Sequence, residues 1–255
     1  MIKPGLTSVT FRDKSPGELV RLALKAGLRG IEWGGDIHVP AGEPELAEEA
    51  YRLTMEAGLE VSAYGSYYVV GRSRDEGLRF EDVLQTADLL HAPVLRLWAG
   101  EVGSRESDSG YRRKVVDETR ELADMAGKMG IRLAFEFHDN TLNDSYEACD
   151  SLFHELDHPE ISTYWQPVHG AGPLINRAGI DCILPWICGF HIFHWWPDAE
   201  VRLPLRDGAG DWKQYLHILS RIPGSLFGSL EFVKDDSDEQ FFEDAKTLVE
   251  LAQGC

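Results

Sequence analysis

Apolar residues along the chain fall into short runs that alternate with longer amphipathic segments, and this alternation continues to the C-terminal end. Short apolar runs bounded by glycine, proline or polar residues are typical of buried strands in a parallel sheet. The pattern therefore predicts eight strands. They are PGLTSVTF (4–11), RGIEW (29–33), LEVSAYGSYYVV (59–70), PVLRLWAG (93–100), IRLAFEFHDN (131–140), ISTYWQP (161–167), ICGFHIFHWW (187–196) and SLFGSLEFV (225–233).

The segments between these runs carry apolar residues at helical spacing and have recognisable helix ends. The first begins with Ser15 as a cap and Pro16 in the first turn, and it ends at Gly27, as helices commonly do. Eight helical segments are predicted in this way. They cover residues 15–27, 44–58, 79–92, 111–130, 145–156, 174–186, 210–222 and 238–253.

Strict alternation of strands and helices predicts a parallel sheet in an α/β protein. Eight such units in about 250 residues are the size of a (β/α)8 TIM barrel. We therefore predict one barrel domain over residues 1–255. A doubly wound open sheet is the alternative, but a nucleotide-binding version carries a glycine-rich loop after its first strand, and TFRDKSPGE (10–18) is not such a loop.

Four polar side chains stand at the C-terminal ends of consecutive predicted strands, where barrel enzymes have their active sites. Strand residues alternate between the barrel interior and the helix layer, and the apolar neighbours of each polar residue then face the helices. Buried polar groups are costly unless they share a partner, and a divalent metal ion is the simplest partner for all four. These residues are Glu136, Gln166, His191 and Glu231.

Charge and composition limit the classes of partner. The net charge is −18 with 43% hydrophobic residues, and such an acidic chain lacks the basic surface that nucleic acids require. No apolar stretch approaches the roughly 18 residues of a membrane span. The N-terminus has no signal-peptide pattern, and the four cysteines have no zinc or redox spacing, so we expect reduced thiols and a cytoplasmic protein.

The chain resembles the xylose isomerase-like TIM-barrel superfamily of sugar and sugar-phosphate isomerases and epimerases over nearly its whole length. The resemblance lies in the glutamate of the fifth strand, the histidine of the seventh, the glutamate of the eighth and the LPLRDGAGDW segment (203–212). It implies a metal site made of Glu136, Gln166, His191 and Glu231.

Gln166 departs from the family pattern, in which aspartate is usual at this position. A glutamine oxygen can bind a hard cation but brings no charge. The resemblance with this substitution therefore implies weaker binding and a preference for Mn²⁺ or Mg²⁺, with Zn²⁺ or Co²⁺ as alternatives. A cluster of glutamate and histidine that only holds the barrel mouth together is the structural alternative.

The resemblance implies proton transfer beside a carbonyl through an enediolate, with Glu136 and Glu231 as the acid–base pair on opposite faces of a carbohydrate substrate. It further implies that His169 and Arg202 contact substrate, with Arg206 as the competitor of Arg202. His138, one step above Glu136, is either a substrate contact or a hydrogen-bond partner of the site. Tryptophans at strand ends suit the apolar faces of a sugar. They are Trp33, Trp98, Trp195 and Trp196.

Other interpretations remain open at this point. Glu32 and Arg96 are expected to form a buried ion pair inside the barrel, in a structural rather than catalytic role. The same scaffold could carry an inosose or dehydroshikimate dehydratase, because one metal and one acid–base pair can also eliminate water. Related epimerases carry a further glutamate where this chain has Leu142, which counts against a free-ketose 3-epimerase. A non-catalytic sugar-binding barrel is the alternative from another class, and a homodimer or homotetramer is a possible assembly.

Overall fold

A computed structural model describes residues 1–254 and contains eight parallel strands that close into a barrel. Each strand pairs with its neighbours in chain order, and β1 closes the barrel against β8. The strands are β1 Ile2–Thr7, β2 Gly30–Gly34, β3 Glu60–Val69, β4 Val94–Trp98, β5 Arg132–Glu136, β6 Ile161–Trp165, β7 Ile187–Ile192 and β8 Leu226–Leu230.

A helix follows every strand, so the predicted (β/α)8 barrel is confirmed. The helices are α1 Pro16–Lys25, α2 Pro44–Glu56, α3 Phe80–Leu89, α4 Ser109–Gly127, α5 Tyr146–Leu156, α6 Pro173–Ile183, α7 Ala209–Leu219 and α8 Asp238–Gln253. Among the described residues, no helix is long and apolar enough to cross a membrane.

Local sequence explains where the helices begin. Ser15 and Glu18 form a reciprocal capping box at the start of α1, which satisfies two backbone N–H groups that the helix leaves unpaired. The side chains of Asp108, Ser145 and Ser237 accept hydrogen bonds from the first turns of α4, α5 and α8. These caps fix the residue at which each loop of the barrel mouth ends and its helix begins.

Two layers of side chains make up the core. The large outer layer fills the space between strands and helices, and the small inner cluster contains Ala63, Val94, Ala134 and Tyr164. Gly189 on β7 leaves room for the Tyr164 ring, because a Cβ atom at this glycine would collide with it. Above the inner cluster, towards the strand C-termini, the inward side chains become polar and charged.

The first strand is shorter than the sequence predicts. β1 ends at Thr7, and the residues Ser8–Thr10 form a 3₁₀ turn instead of continuing the strand to residue 11. The Ser8 hydroxyl then accepts a hydrogen bond from the backbone N–H of Gly34, at the end of β2. The β-branched residues Val9 and Thr10 favour a strand locally, but this tertiary contact bends the chain across the mouth.

Candidate active site

The structure brings the four predicted polar residues together at the C-terminal mouth of the barrel. Glu136 ends β5, Gln166 follows β6, His191 lies in β7 and Glu231 follows β8, and all four are buried. Ligand atoms of Glu136, His191 and Glu231 lie within 4.8 Å of one another. Donor atoms about 2.0–2.2 Å from one ion lie up to about 4.4 Å apart, so small side-chain shifts would let all three share it.

The hydrogen bonds of His191 orient its ring towards this cluster. Nε2 lies 3.1 Å from Oε2 of Glu32. Nδ1 faces three oxygens from three other strands, namely Oε1 of Gln166 at 3.1 Å, Oε2 of Glu231 at 3.4 Å and Oε1 of Glu136 at 3.7 Å. A carboxylate that holds one ring nitrogen while the other faces oxygen ligands is the usual arrangement around a metal-binding histidine.

Arg96 links two carboxylates beneath the site. Its Nε donates to Oε1 of Glu32 at 2.6 Å, which is the buried pair expected from the sequence. Its Nη1 also donates to Oε2 of Glu136, a contact that was not predicted. The indole Nε1 of Trp98 donates to the same Glu136 oxygen at 2.6 Å. One Glu136 oxygen is thus held by donors, while the other faces His191.

The electrostatics of this cluster depend on the balance of buried charge. Burial opposes ionisation of Glu32, but Arg96 and His191 outweigh it and lower its pKa to about 2. Burial likewise opposes ionisation of Glu136, and Arg96 again lowers the pKa. Burial, reinforced by Glu136, raises the pKa of Glu231. For His191 burial is outweighed by Glu231 and Glu32, which raise the pKa to about 9.

A divalent cation fits this donor set. Three buried carboxylates against one guanidinium leave two negative charges, which one divalent ion would neutralise. Without an ion, proton uptake by His191 and Glu231 serves the same purpose, in keeping with their raised pKa values. Two carboxylates, one imidazole and one amide oxygen are ligands that suit Mn²⁺ or Mg²⁺.

His138 and Trp98 form one wall of the mouth. Their rings are stacked with centroids 5.1 Å apart, and both side chains are only partly buried. Nδ1 of His138 lies 2.8 Å from the backbone oxygen of Asp139. A carbonyl oxygen only accepts hydrogen bonds, so Nδ1 is the donor in this contact, and Nε2 is the acceptor nitrogen of that tautomer.

His169 and Trp195 lie next to this wall, because Asp139 contacts both histidines. Nδ1 of His169 lies 3.2 Å from Oδ2 of Asp139, and its ring packs 5.3 Å from that of Trp195. Trp195 is stacked on Phe193 and donates its indole N–H to the backbone oxygen of Phe232 at 3.3 Å. The structure therefore places both predicted substrate contacts at the mouth.

Arg202 lies at the rim of the mouth, where its guanidinium contacts two other side chains. Its Nη1 pairs with Oδ1 of Asp236 at 2.5 Å, and its guanidinium lies 4.7 Å from the centroid of the Phe232 ring. Arg206, the alternative to Arg202, is two-thirds exposed and its closest carboxylates are 3.9 Å away. Trp196 is also exposed.

Trp33 lies away from the mouth, which corrects the expectation that it contacts substrate. Its side chain is fully buried between the barrel and α2, and its indole N–H donates to Oγ1 of Thr54 at 3.2 Å. The cause is strand alternation: Glu32 points into the barrel, so the next residue must face the helices.

Sequence reasoning missed several residues that shape the site. The amide of Asn143 donates to the backbone oxygen of Glu136 at 3.2 Å and to Oγ1 of Thr163 at 3.0 Å, so it supports the end of β5 from behind. Arg12 donates to the hydroxyl of Tyr67 above the mouth. Asn143 follows a turn and Arg12 lies in a loop, where no periodic pattern marks the direction of a side chain.

Comparison with known proteins identifies the family of the chain. The family model described as xylose isomerase-like TIM barrel matches residues 20–252, which is most of the chain. The chain belongs to this family. The resemblance expected from the sequence is therefore confirmed, while the roles of the individual site residues remain predictions.

Three relatives illustrate the range of the family. The chain is 26% identical over 201 residues to 3-dehydroshikimate dehydratase of Bacillus anthracis, covering 74% of this chain and 71% of that protein. The crystal structure of the probable 3-DHS dehydratase involved in petrobactin synthesis from Bacillus anthracis is similar with TM-score 0.82 at 20% identity, covering 98% and 99% of the two chains. The IOLI protein with a binding zinc atom is similar with TM-score 0.78 at 18% identity, covering 99% and 98%.

Proposed function

We propose that this protein is a metal-dependent dehydratase that eliminates water from a hydroxylated carbonyl compound. The observation that carries the proposal is the similarity to 3-dehydroshikimate dehydratase over 201 residues. The site supports it, because a cluster of three residues that could hold a metal ion and the imidazole of His138 lie at the same mouth. The dehydratase was the alternative interpretation of the sequence, and the comparison gives it precedence over the isomerase.

Glu136, Gln166, His191 and Glu231 would hold the divalent ion. When bound, such an ion polarises a carbonyl oxygen and makes the neighbouring C–H bond more acidic. Glu32 keeps the His191 ring in place through Nε2, and Arg96 with Trp98 holds one oxygen of Glu136. These partners fix the ligand positions before substrate arrives.

His138 is the residue that we assign to proton transfer. Its Nε2 is the acceptor nitrogen, and the stacking on Trp98 fixes the plane of the ring. In the proposed step Nε2 takes the proton from the carbon beside the carbonyl, and the C–H electrons form a carbon–carbon double bond. The hydroxyl on the next carbon leaves with that proton as water, so His138 ends the cycle neutral.

The walls of the mouth would orient the substrate. The packed rings of Trp98 with His138 and of Trp195 with Phe193 would line its apolar side, and His169 would offer a ring nitrogen to a hydroxyl. Arg202 is held by Asp236 at the rim, where it would contact the outer part of a substrate.

The proposal is tested by adding Mn²⁺-loaded protein to 3-dehydroshikimate and to inososes and following the ultraviolet absorbance of the new conjugated double bond. We expect His138→Asn to reduce the rate about 100-fold or more, the typical contribution of a general base, while Mn²⁺ affinity stays unchanged. The matched control is His154→Asn, which changes an exposed histidine on α5 and should leave the rate unchanged. Turnover by the His138 variant at the wild-type rate would contradict the assigned role.

An isomerase or epimerase is the second candidate, and one observation favours it. Glu136 and Glu231 reach the cluster from β5 and β8 with His191 of β7 between them, as acid and base on two faces of a substrate would require. In deuterium oxide this activity would place deuterium beside the carbonyl of a ketose without forming a double bond. That result, with no elimination from any compound tested, would replace the dehydratase by the epimerase.

A further inference from the structure

Arg12 and Tyr67 form a polar pair above the metal-binding cluster. Arg12 extends from the loop after β1, and its Nη2 donates to the Tyr67 hydroxyl at 3.3 Å. Its Nη1 pairs with Oδ2 of Asp36, from the loop after β2. The Arg12 side chain is about half exposed, at 48%, so the remaining donors of the guanidinium are free to meet a ligand.

Tyr67 connects this pair to the metal-binding cluster. Its ring lies 5.8 Å from the ring of Trp98, whose indole binds Glu136, and 5.9 Å from the Arg96 guanidinium. Burial raises the pKa of Tyr67 to about 12, with Glu231 and Glu136 adding to the effect, so the hydroxyl keeps its proton. Because the hydroxyl oxygen accepts from Arg12, its own hydrogen remains available to donate.

The backbone at Tyr67 is strained. Its φ of 58° lies in the left-handed region, which is unfavourable for a residue other than glycine. The register between β3 and β4 also shifts between Gly65 and Val69, so the strand is irregular at this point. Strained backbone conformations of this kind are common at ligand-binding sites, where they orient a side chain towards the ligand.

Two other arginines of the mouth form ion pairs with carboxylates of the protein. Arg96 is buried between Glu32 and Glu136, and Arg202 pairs with Asp236. Arg12 also pairs with a carboxylate, that of Asp36, but its side chain is 48% exposed against 31% for Arg202, so more of its guanidinium can meet a ligand. The net charge of the chain, −18, would otherwise repel anions.

We propose that Arg12 and Tyr67 bind a carboxylate group of the substrate and so select carboxylated over neutral carbonyl polyols. The inference rests on the proposed function, because it names the substrate class of that site. A planar guanidinium and a hydroxyl match the two oxygens of one carboxylate. A phosphate dianion would require more positive charge than one arginine already paired with Asp36 can supply.

Two unreactive probes of equal size test the inference without turnover. They are 3,4-dihydroxybenzoate and 3,4-dihydroxybenzamide, which differ in the carboxylate charge, and their affinities for Mn²⁺-loaded protein are measured by calorimetry. We expect the wild type to favour the carboxylate about tenfold or more, since a charged hydrogen bond has that effect. Arg12→Gln should abolish the preference and Tyr67→Phe should reduce it, while the control Arg52→Gln on the surface of α2 keeps it.

Each outcome separates this inference from the proposed function. Equal binding of both probes by the wild type, binding of neither, or an unchanged preference in Arg12→Gln would overturn the carboxylate site, even if the protein dehydrates neutral inososes. A preference that depends on Arg12, without elimination from any carbonyl polyol, would support the carboxylate site and overturn the dehydratase. Circular dichroism confirms that each variant is folded.

Discussion

Gln166 is the residue that sets the charge of the proposed metal site. The buried carboxylates of Glu32, Glu136 and Glu231 exceed the one guanidinium of Arg96 by two negative charges. The amide of Gln166 is uncharged, so the excess stays at two, which one divalent ion would neutralise. An aspartate here would add a further negative charge to a metal-free cluster that already depends on proton uptake to balance two.

We therefore predict opposite effects of Gln166→Asp with and without metal. The new carboxylate should attract Mn²⁺ and lower its Kd about tenfold or more, because it adds a charged ligand. In the absence of metal it should lower the free energy of unfolding by about 1–3 kcal/mol, since it adds negative charge to a buried cluster in which carboxylates already outnumber the guanidinium. Calorimetry gives the first quantity and urea unfolding with a chelator gives the second.

The matched control is Gln85→Asp on the exposed side of α3, which should change stability by a few tenths of a kcal/mol at most. If Gln166→Asp left both quantities unchanged, Gln166 would not face the ion.

Single residues also show how far sequence could predict the site. Strand alternation was sufficient to bring Glu136 and His191 to one mouth, because inward positions repeat every second residue. The same rule, applied to Trp33, would have placed it against the helices. The contact between Arg96 and Glu136 depends on the reach of a long side chain from one strand to the next, which alternation does not describe.

At the scale of elements, helices and inner strands were more predictable than the segments between them. The helical spacing and caps of α1 and α4 have strong local signals, and both helices form where they were expected. The end of β1 was predicted wrongly because Val9 and Thr10 favour a strand until Gly34 binds Ser8. Loop residues such as Arg12 carry no such signals, so their contacts with other loops emerged only from the fold.

A pair of helical glycines tests how closely the outer elements pack. Gly179 on α6 lies against the ring of Tyr146 at the start of α5, and a Cβ atom there would collide with the ring. We predict that Gly179→Ala lowers the free energy of unfolding by about 1–3 kcal/mol, despite the better helix propensity of alanine, because the close packing cannot adjust. Urea unfolding measures the change.

Gly210, near the start of α7, provides the comparison, because no neighbouring atom lies within 4 Å of the position that a Cβ atom would take there. Gly210→Ala should be neutral or stabilise the protein by up to about 1 kcal/mol, because alanine restricts the unfolded chain. A Gly179→Ala variant as stable as the Gly210→Ala variant would show that Tyr146 can move aside without cost.

For the whole molecule, the charged cluster joins strands around most of the barrel. Glu32, Arg96, Glu136 and His191 come from β2, β4, β5 and β7, and Gln166 and Glu231 follow β6 and β8. Metal binding therefore depends on the closed barrel, and an ion that binds the folded state alone must stabilise the whole fold.

We predict that Mn²⁺ at about 100 times its Kd raises the free energy of unfolding by about 2.7 kcal/mol, equivalent to a rise in Tm of roughly 5–10 °C. Glu231→Gln should remove this rise. Without metal the same variant should be no less stable than the wild type, because it removes a carboxylate whose pKa is raised by burial and, to a smaller extent, by Glu136. Differential scanning calorimetry with and without Mn²⁺ measures both effects.

The combination of these two results distinguishes a ligand from a merely structural residue. A structural role for Glu231 predicts a lower Tm in Glu231→Gln under both conditions, whereas a ligand role predicts a loss confined to the Mn²⁺-loaded protein. The exposed Glu48→Gln variant on α2 keeps the wild-type response in either case, because that carboxylate is far from the mouth. A full Mn²⁺-induced rise in Glu231→Gln would exclude this glutamate from the metal site, because the ion would still bind the folded protein without it.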